Sequence, residues 1–283
     1  MHAPVWKPLA VGLLCVLAFA PVHAEEPLPT PQPAAKLKPV EFDETSQKVF
    51  EAWEHKAYNL GRVGVKKAKV SIKAKLSNPK LPVPLGCTGT FTWDDASLEE
   101  NGKLTYADAG TGDTSAGQIA VGAMLMAQGW NAKALSAQYD ADTLRKALAG
   151  TTLKAQTKGD QTILKVEGRA VDGTTDLVFD KDGVLVELGM SMPSQKGTPL
   201  DVRFILLNKK VGDLYLPAGW TYVLDLPGQG KVASTVTITT TKVGAYHVWS
   251  KVEEQVLLNE KVIGAAELEF SAYQFNAELG GKE

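Results

Sequence analysis

The residues between Gly110 and Gly117 are the first place to look for chemistry, because Gly112 and Gly117 have the spacing of a phosphate-binding loop. Such a loop needs a lysine next, to neutralise phosphate charge, and then a Ser or Thr to hold magnesium. Gln118 and Ile119 stand there instead, and Asp113 adds a repelling charge, so the segment reads as a connector that caps a helix. Of the four histidines, His55 falls on a predicted helix and His247 on a predicted strand. Neither has a nucleophile or carboxylate marked beside it by spacing, as imidazole catalysis requires. Gly189-Met190-Ser191-Met192-Pro193 imitates the start of a nucleophile elbow, but Pro193 replaces the closing glycine and the motif ends a strand. Asp94-Asp95, Glu99-Glu100 and Glu253-Glu254 are adjacent pairs. Neighbours in a strand face opposite ways, so they make no metal signature beyond a weak surface calcium site at Asp94–Glu100. Cys87 reads as a small buried thiol. The expectation is a protein that is not an enzyme and has no catalytic residue, metal or cofactor.

Binding is the better-supported chemistry. Ile119 to Ala127 contains no polar side chain, and a helix apolar on every side must be buried on every side. Met124 and Met126 are adaptable, and Ala120, Gly122, Ala123 and Ala127 are small, a surface that suits guests of variable shape. An ordinary core helix is the competing reading. Phe91, Trp93, Val121, Met124, Leu125 and Met126 are the candidate ligand-facing residues. Burying an acyl chain yields about 0.8 kcal/mol per CH₂. A chain of ~14 carbons would therefore gain on the order of 10 kcal/mol before association costs. Lys66, Lys67, Lys69, Lys73 and Lys75 form a basic row that either meets anionic lipid head groups or is a solvated face or lysine-guarded edge strand.

The elements that must position these residues follow from pattern. Residues 1–24 have the layout of a secretory signal: Lys7, an apolar run from Leu9 to Ala20, and small residues at Val22 and Ala24. That run, at about 12 residues, is too short to span a bilayer. Its removal takes away Lys7 alone among the charged residues, leaving 29 Lys and Arg against 32 Asp and Glu. A slightly acidic chain is a poor partner for nucleic acid. One remaining cysteine, Cys87, permits no intrachain disulfide, so the core must hold the fold. Residues 25–40 contain Pro27, Pro29, Pro31, Pro33 and Pro39 and read as an extended linker.

A single domain is expected over 41–283. A helix over Asp43–Leu60 is capped by Asp43 or Thr45, with Val49, Phe50, Trp53, Ala57 and Leu60 on one face. Val63–Leu76 then alternates with period two, and further strands are predicted at Thr88–Trp93 and Gly102–Ala107. A short helix capped by Asp140 or Asp142 ends at Leu148. From Thr151 to Asn276 the chain is a series of alternating runs joined by turns such as Asp180-Lys181-Asp182-Gly183. The fold class is α+β: a curved antiparallel β-sheet, an incomplete barrel, with helices covering its concave face.

This layout, with the phrases Gly102–Tyr106, Phe179–Gly183, Leu216–Trp220 and Phe270–Asn276, resembles the periplasmic carriers of outer-membrane lipoprotein sorting, the LolA-like superfamily. The resemblance covers Asp43 to Asn276 in arrangement. It implies an incomplete barrel holding acyl chains, and an arginine that latches the helical lid, for which Arg62, Arg145, Arg169 and Arg203 are the candidates. The expectation is a periplasmic or extracellular binding protein whose partner is a lipid or an acylated protein, with a membrane surface as a further candidate partner. The alternative is a protein-interaction scaffold on the same fold with a filled core.

Overall fold

The computed structural model describes residues 38–77, 79, 85–95, 103–107, 138–168, 170, 173–192, 199–226 and 230–276. The expected signal over 1–24, most of the linker over 25–40, and the helix Ile119–Ala127 lie outside the described residues.

The chain opens with β1 (Glu41–Phe42) and helix α1 (Glu44–Lys56). Asp43 caps α1 as expected: its Oδ1 accepts from the Ser46 N–H at 2.7 Å. Its Oδ2 accepts from the Ala155 N–H at 3.0 Å, so one carboxylate both starts the helix and ties it to the sheet. The helix ends at Lys56, short of the Leu60 expected from its period. Ala57 leaves it to form a parallel bridge with Tyr215, and Leu60 turns into a different part of the core. A tertiary partner for the backbone outbids one more helical turn.

Strands β2 (Lys67–Ser77), β3 (Leu85–Asp94) and β4 (Lys103–Ala107) follow, and the short helix α2 (Thr143–Ala147) leads into the meander. The meander runs through β5 (Thr152–Lys158), β6 (Gln161–Glu167), β7 (Thr174–Phe179), β8 (Leu185–Met192) and β9 (Leu200–Val211). It continues with β10 (Leu214–Leu226), β11 (Gly230–Val243), β12 (Tyr246–Leu258) and β13 (Lys261–Phe275). Among the described residues these form one sheet in the order β1-β5-β6-β7-β8-β9-β10-β11-β12-β13-β2-β3-β4. Every pairing is antiparallel except β1 with β5. The early strands β2 to β4 thus join the far end of the meander through β13. The fold is the expected α+β class, a curved and mainly antiparallel sheet that does not close into a barrel.

The turns carry the residues their geometry needs. Asn259 and Glu260 both have positive φ, 48° and 66°, between the paired Leu258 and Lys261, which is the hairpin geometry that matches strand twist. Pro217-Ala218-Gly219 forms a bulge within β10. The register slips from Pro217↔Asn208 to Gly219↔Leu207. Gly219 has φ 138°, and a Cβ there would collide with the Val236 carbonyl oxygen on β11.

Among the described residues, the buried side chains of the sheet gather on one face in two clusters. The first gathers Phe50, Leu148, Leu153, Leu164, Leu177, Phe179 and their neighbours on β8 to β10, with α1 laid against it. Trp53 of α1 stacks edge-on to Phe179, and the Lys56 ammonium donates to the Asp182 carbonyl. The second gathers β2, β3, β11, β12 and β13 around Val70, Phe91, Trp249 and Phe270. Strands β11 and β12 serve both, Val232 and Val256 in the first cluster and Val236 and Val252 in the second. Between those pairs sit buried Ser234 and Glu254, joined by a 2.8 Å hydrogen bond.

The opposite face of β2 carries the lysine row. Ala68, Val70, Ile72 and Ala74 are buried while Lys67, Lys69, Lys73 and Lys75 are exposed, as period two demands. The idea of a lysine-guarded edge is corrected: β2 lies inside the sheet, hydrogen-bonded to β13 and β3. Lys66 pairs with Asp95, Lys67 with Asp94 and Lys73 with Glu269, so the row belongs to a surface of mixed charge.

Candidate ligand-binding face

Phe91 and Trp93 lie two residues apart on β3 and point to the buried side, at 0% and 3% exposure. Tyr139, at 1% exposure, lies over both rings. Its centroid is 5.4 Å from Phe91 and 5.6 Å from Trp93, with the Trp93 ring inclined by 27°. The same face continues through Val70 and Ile72 on β2, Leu268 and Phe270 on β13, and Trp249 on β12. Trp249 and Phe270 meet edge-to-face at 6.1 Å. The other four candidate ligand-facing residues, Val121, Met124, Leu125 and Met126, lie outside the described residues.

Polar groups at this face converge on one backbone unit. The Trp249 N–H donates to Gln138 Oε1 at 3.1 Å, and the Tyr273 hydroxyl donates to the Trp249 carbonyl at 2.6 Å. Tyr139 and Gln138 lie beside the Tyr273 hydroxyl. Burial pushes the Tyr139 hydroxyl well above the ordinary tyrosine range, and burial does the same to Tyr273, reinforced by Tyr139. Both therefore keep their protons at neutral pH and act as hydrogen-bonding groups, not as bases. Sequence reasoning picked out Phe91 and Trp93 but missed Gln138, Tyr139 and Tyr273, whose place depends on the chain returning to β3 from a distant segment.

The opposite half of the buried face is closed by α1, and two arginines hold it there. Arg145 grips the Glu54 carboxylate with two hydrogen bonds, at 2.9 and 2.5 Å. Arg62 reaches the same carboxylate at 3.1 Å and also donates to the Glu54 and Ala141 carbonyls. Arg145 lies over the rings of Phe42 and Phe50, and Arg62 over Trp53. Of the four arginines considered for a latch, these two act on α1. Arg203 sits elsewhere, bound to Asp176 and Glu187, and Arg169 lies outside the described residues.

The other chemical candidates disperse. His55 is exposed on α1, while His247 on β12 stands edge-on to Tyr58. Ser191 lies within β8, its N–H donating to the Gly173 carbonyl, which is no elbow. Asp94 and Asp95 are engaged by Lys67 and Lys66. Glu253 is exposed and paired with Lys251, whereas its neighbour Glu254 is buried. Among the described residues, no three His, Cys, Asp or Glu side chains gather as metal ligands. The loop Gly110–Gly117 and the pair Glu99-Glu100 lie outside the described residues.

No protein-family model matches the chain, and no curated protein does. Among solved structures, the chain is similar in arrangement to a LolA superfamily protein from Nitrosomonas europaea. That match has 8% identity and a TM-score of 0.32, and covers 81% of this chain and 93% of that one. It is also similar to a DUF1329 family protein from Desulfovibrio piger, with 5% identity, a TM-score of 0.35 and coverage of 83% and 94%. A porin-like protein from Bacteroides uniformis matches at 9% identity and a TM-score of 0.18, over 71% and 96%. At these identities and TM-scores the likenesses carry no argument.

Proposed function

We propose that this chain is an exported envelope protein that binds acyl chains, of a lipid or an acylated protein, against the buried face of β2, β3, β12 and β13. One observation carries the reading. The helix α1 packs its apolar side on the β5–β10 half, whereas the aromatic-rich β2–β3–β13 half is capped, among the described residues, by Tyr139 and the segment holding Tyr58, Leu60 and Val65. Cohesion of that face is mainly apolar contact and aromatic stacking, contacts of the kind an acyl chain also makes. Recognition by apolar area alone supplies enough free energy, about 0.8 kcal/mol for each CH₂ buried. The leader-like residues 1–24 support export, and the Pro-rich stretch after them supports a tethered position.

A second reading has its own observation. Phe91 and Trp93 are buried under the Tyr139 ring, as they would be in a filled core serving a scaffold. Titrating delipidated protein with a fluorescent fatty acid separates the two. Saturable binding at micromolar concentration, with added lipid mass in native mass spectrometry of protein from its own host, is the expected result. Absence of both leaves the scaffold.

A further inference from the structure

The polar atoms beneath Trp249 have an unbalanced inventory. The acceptors are few: Gln138 Oε1 receives the Trp249 N–H, the Trp249 carbonyl receives the Tyr273 hydroxyl, and the Tyr273 oxygen, beside Tyr139 and Gln138, is left for the donors around it. Among the described residues, three side-chain donors around them have no hydrogen-bond partner: Trp93 Nε1, Gln138 Nε2 and the Tyr139 hydroxyl. Trp93 and Tyr139 are 97% and 99% buried, so bulk water does not reach them. Buried donors without partners are rare in folded proteins, and an indole N–H can do nothing but donate. Donors outnumber acceptors even with the Tyr273 oxygen counted, and an acceptor brought from outside would balance them.

We propose that Trp93 Nε1, Gln138 Nε2 and the Tyr139 hydroxyl form the polar end of the binding face and hold the carbonyl oxygen of an ester or amide-linked acyl group. This rests on the acyl-binding reading above and adds a head-group preference to it. A neutral carbonyl fits better than a carboxylate. The polar groups facing Tyr139 and Tyr273 are each other and Gln138, all neutral, and an ion buried there would lack a counter-charge. The aromatic rings of Phe91 and Trp93 then flank the first carbons of the chain.

The test measures three ligands of equal chain length, a fatty-acid methyl ester, the free fatty acid and the alkane, against the wild-type protein, Tyr139→Phe and Trp93→Phe. The wild type should prefer the ester to the alkane. Each substitution should lower that preference by about three- to tenfold, the worth of one hydrogen bond, with alkane affinity unchanged for Tyr139→Phe. Ligand-free Tyr139→Phe should unfold at the same temperature as wild type or higher, because it removes a hydroxyl that has no partner. A lower unfolding temperature would mean that Tyr273 already satisfies this hydroxyl, and would overturn the proposal. So would an ester-to-alkane ratio unmoved in both variants, or tightest binding by the ionised acid at alkaline pH. Those outcomes leave acyl binding itself standing, whereas failure of both ester and alkane to bind the wild type refutes the two together.

Discussion

Replacing Glu54 with alanine tests the clamp that ties α1 to α2 and to the segment that follows α1. The carboxylate receives three side-chain hydrogen bonds from two arginines, and its side chain is 17% exposed, against 24% for Arg62 and 34% for Arg145. Hydrogen bonds to charged groups contribute about 1.5–3 kcal/mol each when well buried. Removing one member of a fully buried pair costs about 3–5 kcal/mol, because the other charge is stranded. Here the arginines stay half-wet and keep other partners: Arg62 its carbonyls, Arg145 the rings of Phe42 and Phe50. The expected loss is therefore smaller, about 2 kcal/mol. For a domain of this size that lowers the unfolding temperature by about 4–8 °C. Thermal unfolding followed by circular dichroism reads it directly, and urea titration should show a lower midpoint with unchanged slope. A double-mutant cycle with Arg145→Met should recover a coupling of about 1 kcal/mol or more. A fall of less than 1 °C in Glu54→Ala would refute the idea that this cluster holds the helix.

Further outcomes follow from other parts of the sheet. Gly219→Ala should destabilise by at least ~2 kcal/mol, since the backbone conformation disfavours a side chain and the Val236 carbonyl blocks it. Gly244→Ala, with open space around it, should cost less, and thermal unfolding of the two variants checks the order. The Asp43 carboxyl is held below the usual carboxylate range, first by the Ser46 backbone N–H and also by that of Ala155. Its folded value is depressed, so its stabilisation is fully present above the ordinary carboxylate pKa and fades as pH falls through the lowered value. The gap in unfolding temperature between wild type and Asp43→Ala should accordingly be widest near neutrality and narrow in acid. A gap independent of pH would show that the charge on Asp43 is irrelevant to the cap.

Much of the architecture is written in local pattern. The alternation in Gln161–Glu167 matches β6 residue for residue, and the Asp180–Gly183 signal ends β7 and turns into β8. Asp43 as a cap, and the opposite facing of Glu253 and Glu254, are equally legible, because a cap and a strand's period involve only neighbours in the chain. Tertiary structure decided the rest. It put a bulge at Pro217-Ala218-Gly219, since β9 and β11 are there to pair with the flanking residues. It stopped α1 at Lys56 by offering Ala57 a strand to bridge. It placed β2 between β13 and β3, so that of the readings open for the lysine row the guarded edge falls and the solvated face, of mixed charge, remains. Above all, it brought Gln138 and Tyr139 over Phe91 and Trp93, beside Tyr273 and the backbone of Trp249. Sequence determines what each segment wants locally, through propensity, periodicity and capping. Which buried donors end up facing one another is set by long-range packing, where the free energy depends on the whole sheet and on no single window of residues.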